Sequence, residues 1–221
     1  MGTYTTLLFD LDGTLTDSAP GILNCARHAL RIMDRPEPEN IMRFIGPPLI
    51  DSFLDFCGMT EQDAKEAVRL YRERYADVGL FENAVYSGVP EMLERLRGAG
   101  FRMAVATSKP EVFAVRILDK FGLSRYFDFI GGGELNGVRN DKHEVIEYVL
   151  ENLGSPDRDT VLMIGDRSHD VIGAHKSGIR CLGALWGYGS REELSGCGIE
   201  YMAELPADAA EMLAGGSIKK L

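Results

Sequence analysis

An apolar run from Leu7 to Phe9 ends in Asp10 and Asp12, followed at once by Gly13 and Thr14, within the string TTLLFDLDGTLTDS (residues 5–18). A short, wholly apolar run of this kind suits a strand buried on both faces, as in a parallel sheet covered by helices. The glycine implies that the chain turns directly after the second carboxylate. Two acids two residues apart then stand where a buried strand opens into a loop, the edge at which open α/β sheets bind ligands. A bare Asp-x-Asp is also a common acidic turn, so partners must come from elsewhere in the chain.

The 221 residues, 45% hydrophobic and 26% charged, suffice for one α/β core with a smaller insertion. A net charge of -10 without any Lys/Arg block argues against nucleic acid polymers and anionic membranes as partners. Cys25, Cys57, Cys181 and Cys197 show neither CxxC nor metal-type spacing. They are expected as reduced thiols, and the absence of a basic-then-apolar leader or a span-length apolar run adds to the expectation of a cytoplasmic protein. A monomer or homodimer is expected on base rates alone.

Ser18 and Pro20 read as the start of a helix carrying Ile22, Leu23, Ala26, Leu30 and Met33 at helical spacing. The pattern stays helical to about residue 82, broken at 36–38, 46–48 and Gly58. That is too long for a crossover loop, so residues 18–82 are expected as a small helical domain inserted into a core of 1–17 and 83–221. From Gly88 onward helices alternate with short apolar strands at 101–106, 127–130, 160–165 and 179–185, which predicts a doubly wound, Rossmann-like α/β core with a parallel sheet. The residues from Gly215 to the end read as a frayed tail.

Polar residues recur at the strand ends that such a sheet gathers on one edge: Asp10 and Asp12, then Thr107, Ser108 and Lys109, then Lys142, then Asp166 and Asp170. This set suits attack on a phosphate monoester. Asp10 is the candidate nucleophile, and Asp12 the acid that protonates the leaving oxygen and then the base that activates water. Asp166, with Asp10, Asp12 and Asp170, offers the hard oxygen ligands that Mg2+ prefers. Thr107, Ser108 and Lys142 are candidates for holding the phosphate.

DLDGTLTDS resembles the first motif of the haloacid dehalogenase superfamily, in its phosphatase branch. VATSKP (105–110) is similar to the second motif, Lys142 in RNDKHEVI to the third, and IGDRSHD to the GDxxxD form of the fourth. The resemblance implies a Rossmann-like core with a C1-type helical cap, and a Mg2+-dependent phosphatase working through an aspartyl phosphate on a small phosphate ester. Among members it points to phosphoglycolate phosphatases and 5'-nucleotidases. Ser108, where the former often carry Asn, and a third motif without the LysPro start depart from the phosphoglycolate pattern.

FIGPPL (44–49) is the candidate cap segment facing substrate, with Arg43 and Gly46 as substrate-binding candidates. Trp186 and Tyr188 read as packing residues near the crevice rim, and His169 as a neighbour rather than a catalyst. A phosphomutase shares all four motifs. A phospho-accepting signalling module shares the strand-end Asp, the hydroxyl and the Lys, though not the cap.

Overall fold

The structure is a computed structural model describing residues 4–135 and 137–215. Residues 216–221 of the expected frayed tail lie outside the described residues. The chain forms two compact units, one running to Thr16 and resuming at Val85, the other Asp17–Ala84.

In chain order β1 (Thr6–Phe9) leads through β2 (Thr16–Asp17) to α1 (Ala19–Ile32), α2 (Leu49–Cys57) and α3 (Glu61–Asp77), and β3 (Ala84–Val85) returns beside β2. The alternating part follows: α4 (Val89–Gly98), β4 (Arg102–Pro110), α5 (Glu111–Lys120), β5 (Phe129–Gly133), α6 (Lys142–Asn152), β6 (Val161–Gly165) and α7 (Ser168–Lys176). β7 (Arg180–Ala184), α8 (Arg191–Gly196), β8 (Tyr201–Ala203) and α9 (Pro206–Ala214) complete it.

In the larger unit six strands form one sheet in the order β5-β4-β1-β6-β7-β8, and every recorded pairing is parallel. Side chains alternate between its faces. Leu8, Ala104, Ala106 and Met163 pack with Val145, Ile146 and Val149 of α6 and Val171 and Ala174 of α7. The intervening Leu7, Phe9, Met103, Val105, Leu162 and Ile164 are also fully buried, so both faces are covered. That double burial is why these strands are continuous apolar runs.

The expected strand at 101–106 continues to Pro110, past a bulge between Thr107 and Pro110. The partner β5 ends in three glycines, and a side chain there would intrude on the loop: a Cβ on Gly132 would stand 2.6 Å from the Lys109 carbonyl oxygen, and one on Gly133 2.8 Å from that of Ser108. Besides the short β2, β3 and α8, two elements go beyond the sequence reading. β8 is a three-residue edge strand, and α9 packs on α4.

The smaller unit is helical. α1 packs on α3 and on the turn that follows it, where a Cβ on Gly21 would overlap the Gly79 carbonyl. Phe44 and Phe53 fill the interior edge to face, 5.0 Å between centroids. The Thr60 side chain caps α3 by accepting from the Asp63 N–H (3.2 Å), and Gly58 closes α2 at φ +59. On α3, Arg69 pairs with Glu66 and Glu73 on an exposed face.

Candidate active site

Asp10 follows the last residue of β1 and is still held in the sheet, its N–H donating to the Ile164 carbonyl (2.9 Å). The turn beyond it is closed by the Gly13 N–H donating to the Thr16 carbonyl (2.8 Å). Gly13 has φ +89, and a Cβ there would overlap the Asp166 carboxyl, so glycine is required on both counts. Lys142 is the first residue of α6, which Asp141 caps by accepting from the His143 N–H (2.8 Å). Side chains at a helix start point back toward its N-terminus. The Lys142 ammonium accordingly lies 2.7 Å from Asp10 Oδ1 and 2.8 Å from Asp170 Oδ1 and donates to the Ala106 carbonyl (3.1 Å). Asp170, in the first turn of α7, accepts from the Arg167 N–H through its other oxygen (3.0 Å).

Asp166, just past β6, accepts from the Thr14 hydroxyl at Oδ1 (3.0 Å) and from the Tyr188 N–H at Oδ2 (2.9 Å). Asp10, Asp166 and Asp170 each bring an oxygen within 4.8 Å of the others, and all three are buried. Asp10 Oδ1 and Asp170 Oδ1 lie at ion-pair distance from the ammonium yet have no hydrogen bond of good geometry. Three converging carboxyl groups, two of them with an oxygen that lacks a hydrogen bond, and one ammonium between them among the described residues fit a divalent cation.

Burial, reinforced by Asp170 and Asp10, pushes the Asp166 carboxyl up to about 8 against the Tyr188 and Thr14 donors. Asp10 is also raised by burial, with Asp170 and Asp12 adding to it and Lys142 opposing. Burial acts on Asp170 in the same sense, but Lys142 and His169 outweigh it and hold its carboxyl below the usual range. Burial alone would lower the Lys142 pKa, and the two carboxylates more than reverse it.

A divalent ion entering this cluster at neutral pH must therefore displace a proton. Its affinity is expected to rise by up to about tenfold per pH unit below pH 8 and to level off above it. Calorimetry in buffers of different ionisation heat reads the released proton. An affinity flat from pH 6 to 8 would show that Asp166 carries none.

The Asp12 carboxylate is not part of the three-acid cluster. Its Oδ2 lies 2.5 Å from Lys109 Nζ, while Oδ1 is buried without a partner. Of the four acids expected as ligands, it is thus the one the structure engages otherwise. Thr107 is buried, its hydroxyl accepting from the Lys109 N–H (3.3 Å), and Ser108 is half-buried in the bulge. Arg43 and Gly46 lie in the smaller unit. Arg43 is exposed, with its guanidinium 4.0 Å from the centre of the Phe56 ring, and Gly46 turns the chain at φ +111.

Lys109 stands in the sequence as a strand-end polar residue without an assigned role, and its pairing with Asp12 carries no local signal because it joins the ends of β1 and β4. The Ala106 carbonyl and Tyr188 N–H are backbone groups without any. A half-open cavity of about 370 Å³ at the other edge of the sheet is lined by Arg158, His175, Arg180 and Glu200. None of the site residues line it.

All four cysteines are free thiols. Among the described residues no helix is long and apolar enough to cross a membrane.

The chain is 46% identical over 193 residues to a 5'-nucleotidase of Pseudomonas aeruginosa, covering 86% of this chain and 87% of that protein. It is 43% identical over 185 residues to the tyrosine-protein kinase PtkA of Mycobacterium tuberculosis, covering 83% of this chain and 62% of PtkA. The solved structure of a candidate phosphatase from Clostridium difficile superposes with a TM-score of 0.89 at 46% identity, covering 96% of this chain and 100% of that one. The family model described as haloacid dehalogenase-like hydrolase matches residues 7–184, from β1 through the end of β7. The sheet order, the strand-end acids and these matches agree: the chain belongs to the haloacid dehalogenase-like hydrolase family.

Proposed function

We propose that the protein is a Mg2+-dependent phosphomonoesterase acting on small phosphorylated metabolites, nucleoside monophosphates foremost. The observation that carries this reading is the buried cluster in which Lys142 bridges Asp10 and Asp170 while Asp166 stands within reach of both. A divalent ion held by Asp10, Asp166 and Asp170 supplies positive charge against which an anionic nucleophile and a phosphate dianion can meet.

An oxygen of Asp10 attacks phosphorus, and the bond from phosphorus to the ester oxygen breaks. Asp12 gives its proton to that leaving oxygen. Water then attacks the phosphorus of the aspartyl phosphate while Asp12 takes its proton, which releases inorganic phosphate and restores Asp10. Lys142 holds Asp10 and the phosphoryl oxygens, and Thr107 and Ser108 bind the same group from β4. Arg43 and Gly46, in the 43–49 segment of the cap unit, are proposed to contact the part of the substrate beyond the phosphate. The nucleotide preference is supported by the identity with the P. aeruginosa 5'-nucleotidase.

The test is phosphate release from nucleoside monophosphates, phosphoglycolate and sugar phosphates, with Mg2+ or EDTA. Mg2+-dependent release, fastest from nucleoside monophosphates and re-ranked by exchange of residues 43–49, is expected. Release that survives EDTA would remove the metal, and a preference for phosphoglycolate would replace the nucleotide. Intramolecular return of the phosphoryl group to a second hydroxyl would make the protein a mutase, and an aspartyl phosphate persisting for hours would make it a phospho-acceptor. Transfer to tyrosine, the reaction in the mycobacterial relative's name, is tested by adding ATP and a tyrosine peptide. Label on the peptide would overturn the hydrolase reading.

A further inference from the structure

We propose that Trp186 is a positioning residue of the metal cluster. Its indole N–H holds the Thr14 carbonyl and, through the Thr14 hydroxyl, keeps the Asp166 carboxylate facing Asp10 and Asp170. The inference rests on reading those three acids as a divalent-ion site.

The indole N–H donates to the Thr14 carbonyl (2.9 Å), the Thr14 hydroxyl donates to Asp166 Oδ1 (3.0 Å), and the Tyr188 N–H donates to Asp166 Oδ2 (2.9 Å). Residues 186–189 thus reach Asp166 from two directions, once directly and once by way of the turn after β1. The glycines of this segment show how closely it lies. A Cβ on Gly187 would overlap both the Gly13 carbonyl and the Asp166 side chain, and one on Gly189 would overlap the Asp166 carbonyl. The base of the loop is tied to the sheet, with the Leu185 N–H donating to the Ala203 carbonyl (3.0 Å) and the Gly187 N–H to the Ala184 carbonyl (3.2 Å).

This restraint opposes a specific tendency. Once all three are ionised, carboxylates within 4.8 Å repel one another, and Asp166 is the one of them that the Lys142 ammonium does not pair with among the described ion pairs. Without a donor on each oxygen, its carboxylate gains by turning away from the other two. One hydrogen bond per oxygen fixes the plane of the group and leaves the remaining lone pairs for an ion. Groups that orient metal ligands in this way are commonly worth ten- to a hundredfold in affinity.

The test is Mn2+ binding to the full chain without substrate, read by the electron paramagnetic resonance of the free ion. Asp166→Asn should lose binding. Trp186→Phe, which keeps an aromatic ring without the N–H, and Thr14→Val should each weaken it about tenfold. The double variant should be no weaker than the worse single, because both act along one chain of hydrogen bonds. Thr14→Ser, which retains the hydroxyl, should bind as the wild type does. Wild-type affinity in Trp186→Phe beside lost binding in Asp166→Asn would overturn the role of Trp186 and leave the metal site standing. Undiminished binding in Asp166→Asn would overturn the site and the proposal with it. If Trp186→Phe does not fold, benzothienylalanine at this single tryptophan keeps the shape, removes only the N–H and decides the matter by the same tenfold criterion.

Discussion

Asp10→Asn is expected to abolish phosphate release, by about 10⁴-fold or more, while leaving the fold as stable as before or more so without metal. The two effects have one origin. Asp10 sits in a dry site beside Asp170 and Asp12, and its raised pKa shows that the environment resists its charge. An amide of the same shape cannot form the acyl phosphate and carries no charge to resist. A group whose folded pKa is raised favours folding below its unfolded pKa and loses that advantage as pH climbs through the folded value. The asparagine has no such loss, so the melting-temperature gain in EDTA should be larger at pH 8 than at pH 5. Phosphate-release assays and paired melting curves check both halves. More than about one per cent residual turnover would place the nucleophile elsewhere.

Much of this site is legible in the sequence because the fold converts strand ends into one edge. Asp10 and Asp12 were marked by the apolar run before them and the glycine after. Asp166 and Asp170 were marked in the same way, by VLMIG followed by a helix start. Lys142 is marked by its place at the helix start after a strand and by its resemblance to a motif, since a lysine at a helix start has no distinguishing pattern of its own. What local sequence could not show is which groups meet across strands. Lys109 was in view without its carboxylate, and Trp186 was read as packing when its indole N–H reaches the turn after β1. The three glycines of β5 lie beyond the strand read at 127–130, and they admit the backbone of the TSKP segment at contact distance. β8 escaped because three residues at a sheet edge show no period, and α9 because its buried face, Pro206, Ala209, Ala210 and Leu213, carries a single large apolar side chain.

The same cluster explains why Lys142→Met should be the most damaging single change to stability, and why the damage should depend on pH. The ammonium is almost inaccessible and lies at ion-pair distance from two carboxylates, one of them fully buried. Removing one partner of a buried ion pair costs about 3–5 kcal/mol, on the order of 10 °C for a chain of this size. In the wild type the lowered pKa of Asp170 stabilises the fold above the ordinary carboxylate pKa, and that contribution is lost only as pH falls through the lower, folded value. Without the ammonium, burial dominates and the Asp170 pKa rises instead. The sign then reverses: the variant is best at low pH and loses stability as pH rises through neutrality. Melting temperatures in EDTA should therefore separate variant from wild type far more at pH 8 than at pH 5. A divalent ion should recover more of the deficit in the variant than it adds to the wild type, because it replaces the missing charge between Asp10 and Asp170. An equal deficit at both pH values would mean that Lys142 contributes by its packed methylenes, and that the ammonium is not what holds the three acids together.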